Sequence, residues 1–238
     1  MNKDEQSGIL KNFIENTFLK NNQELGISNK SLITKVQSFI MESIQMDFKC
    51  IVLRNDFLKT ASDFKKKFKS SIKIATVVNF PLGTDSLDSI LKQLNKTKSY
   101  ADEIDIVTDY NAFKYKDFKR FDSVIELCSK FCDENEKVVK WIIETGALSK
   151  EEIKSISQRI ESIISSQFSD ILSKSFIKTS TGYYFGYGAK LNDIKIIKNS
   201  IKKMKIKASG GIKTKHFAKE LIKLGCARIG TSCGKDII

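Results

Sequence analysis

The 238-residue sequence is poor in several residue types, and each shortage removes a class of protein. It has one proline, one tryptophan and one histidine, no CxxC pair, and no Pro- or Gly-rich stretch to act as a linker. A mosaic of tethered modules and a His-rich metal centre therefore have no support. No apolar run approaches the roughly 20 residues that a spanning helix needs. The opening MNKDEQSGILK has no apolar segment after a basic one, so neither a membrane protein nor a leader peptide is expected. The cysteines, at 50, 128, 132, 226 and 233, are odd in number and lack zinc-ribbon or thioredoxin spacing. We read them as free thiols in a reducing, cytoplasmic setting. Cys128 and Cys132, four apart, are expected on one face of a helix as small core residues.

Arginine is also scarce, at positions 54, 120, 159 and 228 only, although 41 basic side chains face 28 acidic ones and the net charge is +13. Groove readers rely on arginine for bidentate contacts, so the charge does not by itself predict a nucleic-acid partner. The excess is local: residues 174–223 hold thirteen lysines against Asp193 and Glu220, which accounts for +11 of the total. A non-catalytic polyanion-binding protein stays as an alternative, one that steep salt dependence of binding would reveal.

With 41% hydrophobic residues, the chain can bury a substantial core. Strand-like runs occur at 13–17, 48–53, 72–78, 103–107, 138–143, 176–179, 205–208 and 227–230. Between them, apolar residues recur at three and four, as in Ile153, Ile156, Ile160 and Ile163. Thr84 and Asp85 mark the start of a third helix, and Ser149 with Glu152 forms a capping box for a fifth. The stretch 56–69 has the weakest pattern, because FKKKFK carries more charge than apolar spacing; a solvated face is its expected meaning. Eight alternating units imply parallel strands joined by crossovers, hence a single (β/α)8 TIM barrel over residues 1–238, with a doubly wound open sheet as competitor.

Barrel strands are buried on both faces and read as continuous apolar runs, yet lysine interrupts three of them: VVKWII (Lys140), FIKTST (Lys178) and IKASGG (Lys207). A buried ammonium tends to lose its proton, and a second cation nearby promotes that loss, leaving the neutral amine that carbonyl trapping needs. The same chemistry needs a proton carrier. In DEIDIV, Glu103 and Asp105 share a face, and Asp105 lies nearer the strand's C-terminal end, where barrel active sites form. Glu103 is expected in a surface ion pair. Eight of the twelve glycines fall between 182 and 234, mainly in STG, SGG and GTSCG, just after strands six to eight. Those loops are the usual phosphate site of this fold.

The blocks ATVVNFPLG (75–83), ADEIDIV (101–107), KWIIETG (140–146), FIKTSTG (176–182), IKASGGI (206–212) and GCARIGTSCG (225–234) together resemble the deoxyribose-phosphate aldolase family, class I aldolases. The resemblance implies that Lys178 forms a Schiff base with the aldehyde substrate and that Lys207 lowers its pKa. It further implies that Asp105 and Lys207 move protons with a water molecule, and that Lys140 belongs to the surrounding polar network. Gly182, Gly210, Gly211, Gly230, Thr231 and Ser232 would hold the substrate's phosphate, with Thr179 and Thr181 fixing the loop. Glu15 and Cys50 would contact substrate. The implied reaction cleaves 2-deoxy-D-ribose 5-phosphate reversibly to D-glyceraldehyde 3-phosphate and acetaldehyde, without metal or organic cofactor. The partner is then a small sugar phosphate, with no nucleic acid or membrane; a homodimer is one candidate assembly, and the sequence leaves the oligomeric state open. FIENTFLK (13–20) departs from the family pattern, which usually has Asp at Glu15 and often His at Asn16; Leu53 replaces a usual proline. A Schiff-base aldolase or transaldolase-like enzyme with another donor is the nearest alternative. Lone His216 is expected on a helix, outside the chemistry, and Lys213 is a candidate for assisting the phosphate. Tyr183, Tyr184 and Tyr187 could wall either the pocket or a subunit contact.

Overall fold

Buried on both faces, the apolar runs form a closed cylinder in the computed structural model, which describes residues 10–238. The strands are β1 (Ile14–Phe18), β2 (Cys50–Leu53), β3 (Lys73–Val78), β4 (Glu103–Val107), β5 (Val138–Ile142), β6 (Ser175–Lys178), β7 (Lys205–Ser209) and β8 (Arg228–Thr231). Each pairs in parallel with its neighbours in chain order. The last ladder joins β1 to β8, with Glu15 opposite Gly230, and that pairing excludes the open sheet.

Seven helices make the crossovers: α1 (Asn29–Gln45), α2 (Leu58–Lys67), α3 (Leu87–Thr97), α4 (Phe118–Glu134), α5 (Lys150–Gln167), α6 (Leu191–Ser200) and α7 (Lys215–Lys223). A 3-10 turn, Lys235–Ile237, follows β8. The capping box expected for α5 is present, with both Ser149 and Glu152 bonded to backbone N–H groups. On α3 the cap is Ser86 rather than Thr84 or Asp85, because its hydroxyl accepts from the Ser89 N–H. Asp85 is engaged elsewhere: its own N–H donates to the Asn79 side chain. Weakly patterned α2 buries only Leu58, Ala61 and Ser62 and turns Lys66 and Lys67 to solvent. Among the described residues no helix is long and apolar enough to cross a membrane.

Most apolar burial lies between the strands and their helices, where Trp141, Phe121, Ile160 and Ile194 are fully enclosed. Each such side chain contributes about 1.5–3 kcal/mol by leaving water. Cys128 and Cys132 lie in this layer on α4, as expected, and burial pushes the Cys132 thiol up to about 12. The five cysteines are free. A separate small cluster of Leu19, Cys50, Val52, Ala75 and Val77 fills one side of the barrel interior. The other side is charged.

Candidate active site

Register brings the charged residues together. Asp105 on β4 pairs with Lys140 on β5, and Lys178 on β6 with Lys207 on β7, so four alternate positions project into the same space. Asp105 is the hub: Oδ1 accepts from Lys140 Nζ at 2.9 Å, and Oδ2 accepts from Lys178 Nζ at 2.7 Å and Lys207 Nζ at 2.6 Å. Lys207 also donates to Glu15 Oε2.

Glu103 is not the surface residue expected from its position. It is buried, its Oε2 lies 2.6 Å from Lys140 Nζ, and its Oε1 lies 3.5 Å from Arg228. Arg228 also reaches Glu15 at 3.2 Å, closing the barrel's lower end with a cation where strand alternation alone suggested solvent. The interior therefore holds three carboxylates (Glu15, Glu103, Asp105) and four basic groups (Lys140, Lys178, Lys207, Arg228). Full ionisation leaves one surplus positive charge, which a low-dielectric interior disfavours.

The surplus falls on Lys178. Burial lowers its pKa, Asp105 partly restores it, and the Lys207 ammonium lowers it again, to about 8. For Lys140, burial also acts downward, but Asp105, Glu103 and Glu15 outweigh it and hold the ammonium charged well above the ordinary lysine range. Burial pushes the Asp105 carboxyl up, and the three lysines override this and keep it well below the usual carboxylate range. Glu103 is lowered in the same way, mainly by Lys140 against the pull of burial.

Above this network lies a cavity of about 480 Å³ at the C-terminal ends of the strands. Of the three interior lysines only Lys178 lines it. Gly182, Gly210, Gly211, Gly230, Thr231 and Ser232 line it too, so the structure gathers all six expected phosphate residues beside the expected nucleophile. The N–H groups of Gly182, Gly211 and Ser232 have no hydrogen-bond acceptor among the described residues. Gly210 has to be glycine, and a side chain at Gly230 would crowd its neighbours. A Cβ on Gly210, whose φ is +88°, would sit 2.9 Å from the Gly188 Cα. On Gly230 it would sit 3.1 Å from the Lys207 Cε. Thr231 ties adjacent loops together: its hydroxyl donates to the Ile212 carbonyl at 2.6 Å and accepts from the Cys233 N–H at 3.0 Å. Thr179 does the same between β6 and β7, donating to the Ser209 carbonyl and accepting from the Ser209 N–H, each at 3.0 Å.

Glu15 and Cys50 are placed differently from the expectation of substrate contact. Both are fully buried and neither lines the cavity. Glu15 is part of the ionic network, while Cys50 lies on the apolar side with its thiol raised by burial. Glu15, Cys50 and Glu103 cluster closely enough to suggest metal ligands, but Lys140, Lys207 and Arg228 already neutralise the two carboxylates. His216 is exposed on α7 beside Glu220, as expected. Lys213 and Tyr183 line the cavity, and so do Lys20 and Lys35, which sequence reasoning missed. Their only sequence signal was isolated charge in a lysine-rich chain. Tyr187 instead packs on Gly146 of the loop after β5.

A closed parallel barrel with a buried lysine of lowered pKa facing a glycine-lined cavity is an arrangement suited to amine-nucleophile chemistry. The chain belongs to the DeoC/LacD aldolase family, whose model matches residues 15–238, and is thus an aldolase, a lyase. It is 35% identical to the deoxyribose-phosphate aldolase of Mycoplasmoides pirum over 211 residues, covering 87% of this chain and 89% of that protein. With the deoxyribose-phosphate aldolase of Caldicellulosiruptor saccharolyticus it shares 33% over 237 residues, 95% of each chain. Among solved structures, the aldolase QR15 superposes with a TM-score of 0.75 at 30% identity, covering 96% of this chain and 93% of the other.

Proposed function

We propose that this enzyme reversibly cleaves 2-deoxy-D-ribose 5-phosphate to D-glyceraldehyde 3-phosphate and acetaldehyde through a Schiff base on Lys178. One observation carries the reading: among the interior lysines, the one that opens onto the cavity is also the one with a pKa near 8. The named relatives support the choice of substrate.

The neutral Lys178 amine adds to the aldehyde carbon C1 of the open-chain sugar, and water leaves as the iminium forms. Lys207, bonded to the same Asp105 oxygen as Lys178, is the nearest proton donor for that departure. The iminium draws in the electron pair of the C2–C3 bond while the 3-hydroxyl gives up its proton, and glyceraldehyde 3-phosphate is released. The resulting enamine is protonated at C2, and hydrolysis frees acetaldehyde and the amine. Asp105 rests as the carboxylate and takes up a proton only in passing as it relays it between the lysine nitrogens it touches. The glycine-rich loops and Ser232 supply the phosphate's donors, and Lys20, Lys35 and Lys213 bring positive charge to the same cavity.

Turnover of deoxyribose 5-phosphate should exceed that of ribose 5-phosphate and of ketose phosphates by at least about a hundredfold in kcat/KM, since each alternative changes the group beside the reacting carbon. A preference for a ketose phosphate would reassign the donor while leaving the lysine chemistry in place.

A further inference from the structure

Glu144 lies outside the cavity wall and has no part in the proton transfers, yet its surroundings are unusual. It follows β5 with φ of +54°, a left-handed conformation rare for a residue with a side chain. Such conformations persist where the surrounding structure enforces them. The carboxyl is buried, and its two oxygens are treated very differently. Oε2 accepts from the Thr181 N–H at 3.0 Å and from the Thr181 hydroxyl. Oε1 is buried without a hydrogen-bond partner among the described residues.

Thr181 is the residue through which this grip reaches the site. Its hydroxyl oxygen also accepts from the Tyr183 N–H at 3.0 Å, so Glu144, Thr181 and Tyr183 form one relay across the turn that contains Gly182. Thr181, Gly182 and Tyr183 all line the cavity, and Lys178 is three residues upstream of Thr181. The backbone reinforces the arrangement, because the Thr145 N–H donates to the Thr179 carbonyl at 2.8 Å. The loop after β5 thus serves as the template on which the loop after β6 is laid.

We propose that Glu144 is a positioning residue for phosphate binding: it fixes the Thr181–Tyr183 turn so that the Gly182 N–H is presented to the substrate's phosphate. This role rests on the reading of a phosphorylated substrate given above. A buried carboxyl gripping both donors of one threonine is a costly arrangement, since its second oxygen stays desolvated and unpaired. Orienting an N–H toward an anion provides a use for it.

The test compares wild type, Glu144→Gln and Glu144→Ala on three readouts. Affinity for inorganic phosphate alone should fall at least about tenfold in Glu144→Ala and recover to within about threefold of wild type in Glu144→Gln, whose amide oxygen can accept both threonine donors. With deoxyribose 5-phosphate, the alanine variant should lose activity mainly through a raised KM. With unphosphorylated 2-deoxyribose, its kcat/KM should stay within about threefold of wild type. Trapping of Lys178 by acetaldehyde and cyanoborohydride should proceed in every variant, showing that the barrel and nucleophile survive. Unchanged phosphate affinity in the alanine variant, or equal losses on the phosphorylated and unphosphorylated sugars, would overturn the proposal. A wild-type enzyme that binds phosphate without cleaving the sugar would instead overturn the functional reading, and the phosphate titration would still decide the role of Glu144.

Discussion

Replacing Lys207 with methionine removes one charge and keeps most of the side chain's length, and its effect on Lys178 can be worked from the geometry. Both amines donate to the same Asp105 oxygen, at 2.7 and 2.6 Å, which sets their nitrogens about 4–5 Å apart. At an effective dielectric of about 20, two positive charges at that separation repel by about 3–4 kcal/mol, or roughly 2–3 pH units. Lys178 is lowered from 10.5 to about 8 with burial as the first cause, so Lys207 accounts for only part of the shift. Lys207→Met also frees Glu15 and Asp105 of one partner, and the negative charge released favours protonation of Lys178. Both effects act upward, and the Lys178 midpoint should rise by at least about one unit. The neutral fraction at pH 7, about a tenth in the wild type, then falls about tenfold, with a ceiling near 300-fold if the ordinary lysine value is restored. The assay is the rate of cyanoborohydride trapping with acetaldehyde from pH 6 to 10. Its midpoint reads the titration separately from any loss in the plateau rate. A midpoint within a few tenths of the wild-type value, or below it, would refute the charge-coupling argument.

Two further substitutions probe the same network. Folding carries Lys178 from an ordinary value of 10.5 to about 8, so the unfolded chain binds more protons between those values and wild-type stability should rise with pH across that window. Lys178→Met should therefore abolish turnover yet be more stable than wild type at pH 7, by about 1–3 kcal/mol, with the gap closing by about pH 10.5; urea unfolding at the two pH values measures this, and a variant less stable at pH 7 contradicts it. Glu103→Gln should cost about 3–5 kcal/mol in the same assay at pH 7, because it leaves Lys140 and Arg228 short of a buried counter-charge. A cost below about 1 kcal/mol, the worth of an exposed ion pair, would return Glu103 to the surface role its sequence suggested.

What could be read from the sequence follows from the range over which each signal acts. Strand positions came through because β-branched runs and helical spacing are local, and the three lysines stood out because they interrupt such runs. Their burial followed from the fold: a lysine between apolar neighbours on a central strand has only the barrel interior to enter. Glu103 was misplaced for the complementary reason. Alternation with Asp105 gives its face, but whether that end of the barrel is closed depends on Arg228, 125 positions further along the chain. Family resemblance of the first two strand blocks implies substrate contact for Glu15 and Cys50, whereas depth along the strand decides that role; both are fully buried and neither lines the cavity. Glu144 gave no local sign, since its left-handed backbone and its grip on Thr181 exist only once β5 and β6 are side by side.

The central claim is that Lys178, and neither Lys140 nor Lys207, is the nucleophile. Incubating the intact enzyme with deoxyribose 5-phosphate and borohydride, then mapping the peptides by mass, tests it in one measurement. A reduced adduct, either the two-carbon ethyl group or the five-carbon sugar phosphate, should appear on the peptide carrying Lys178, and none on those carrying Lys140 or Lys207. A folded enzyme that turns over substrate but carries its adduct on another lysine, or forms none, would contradict it.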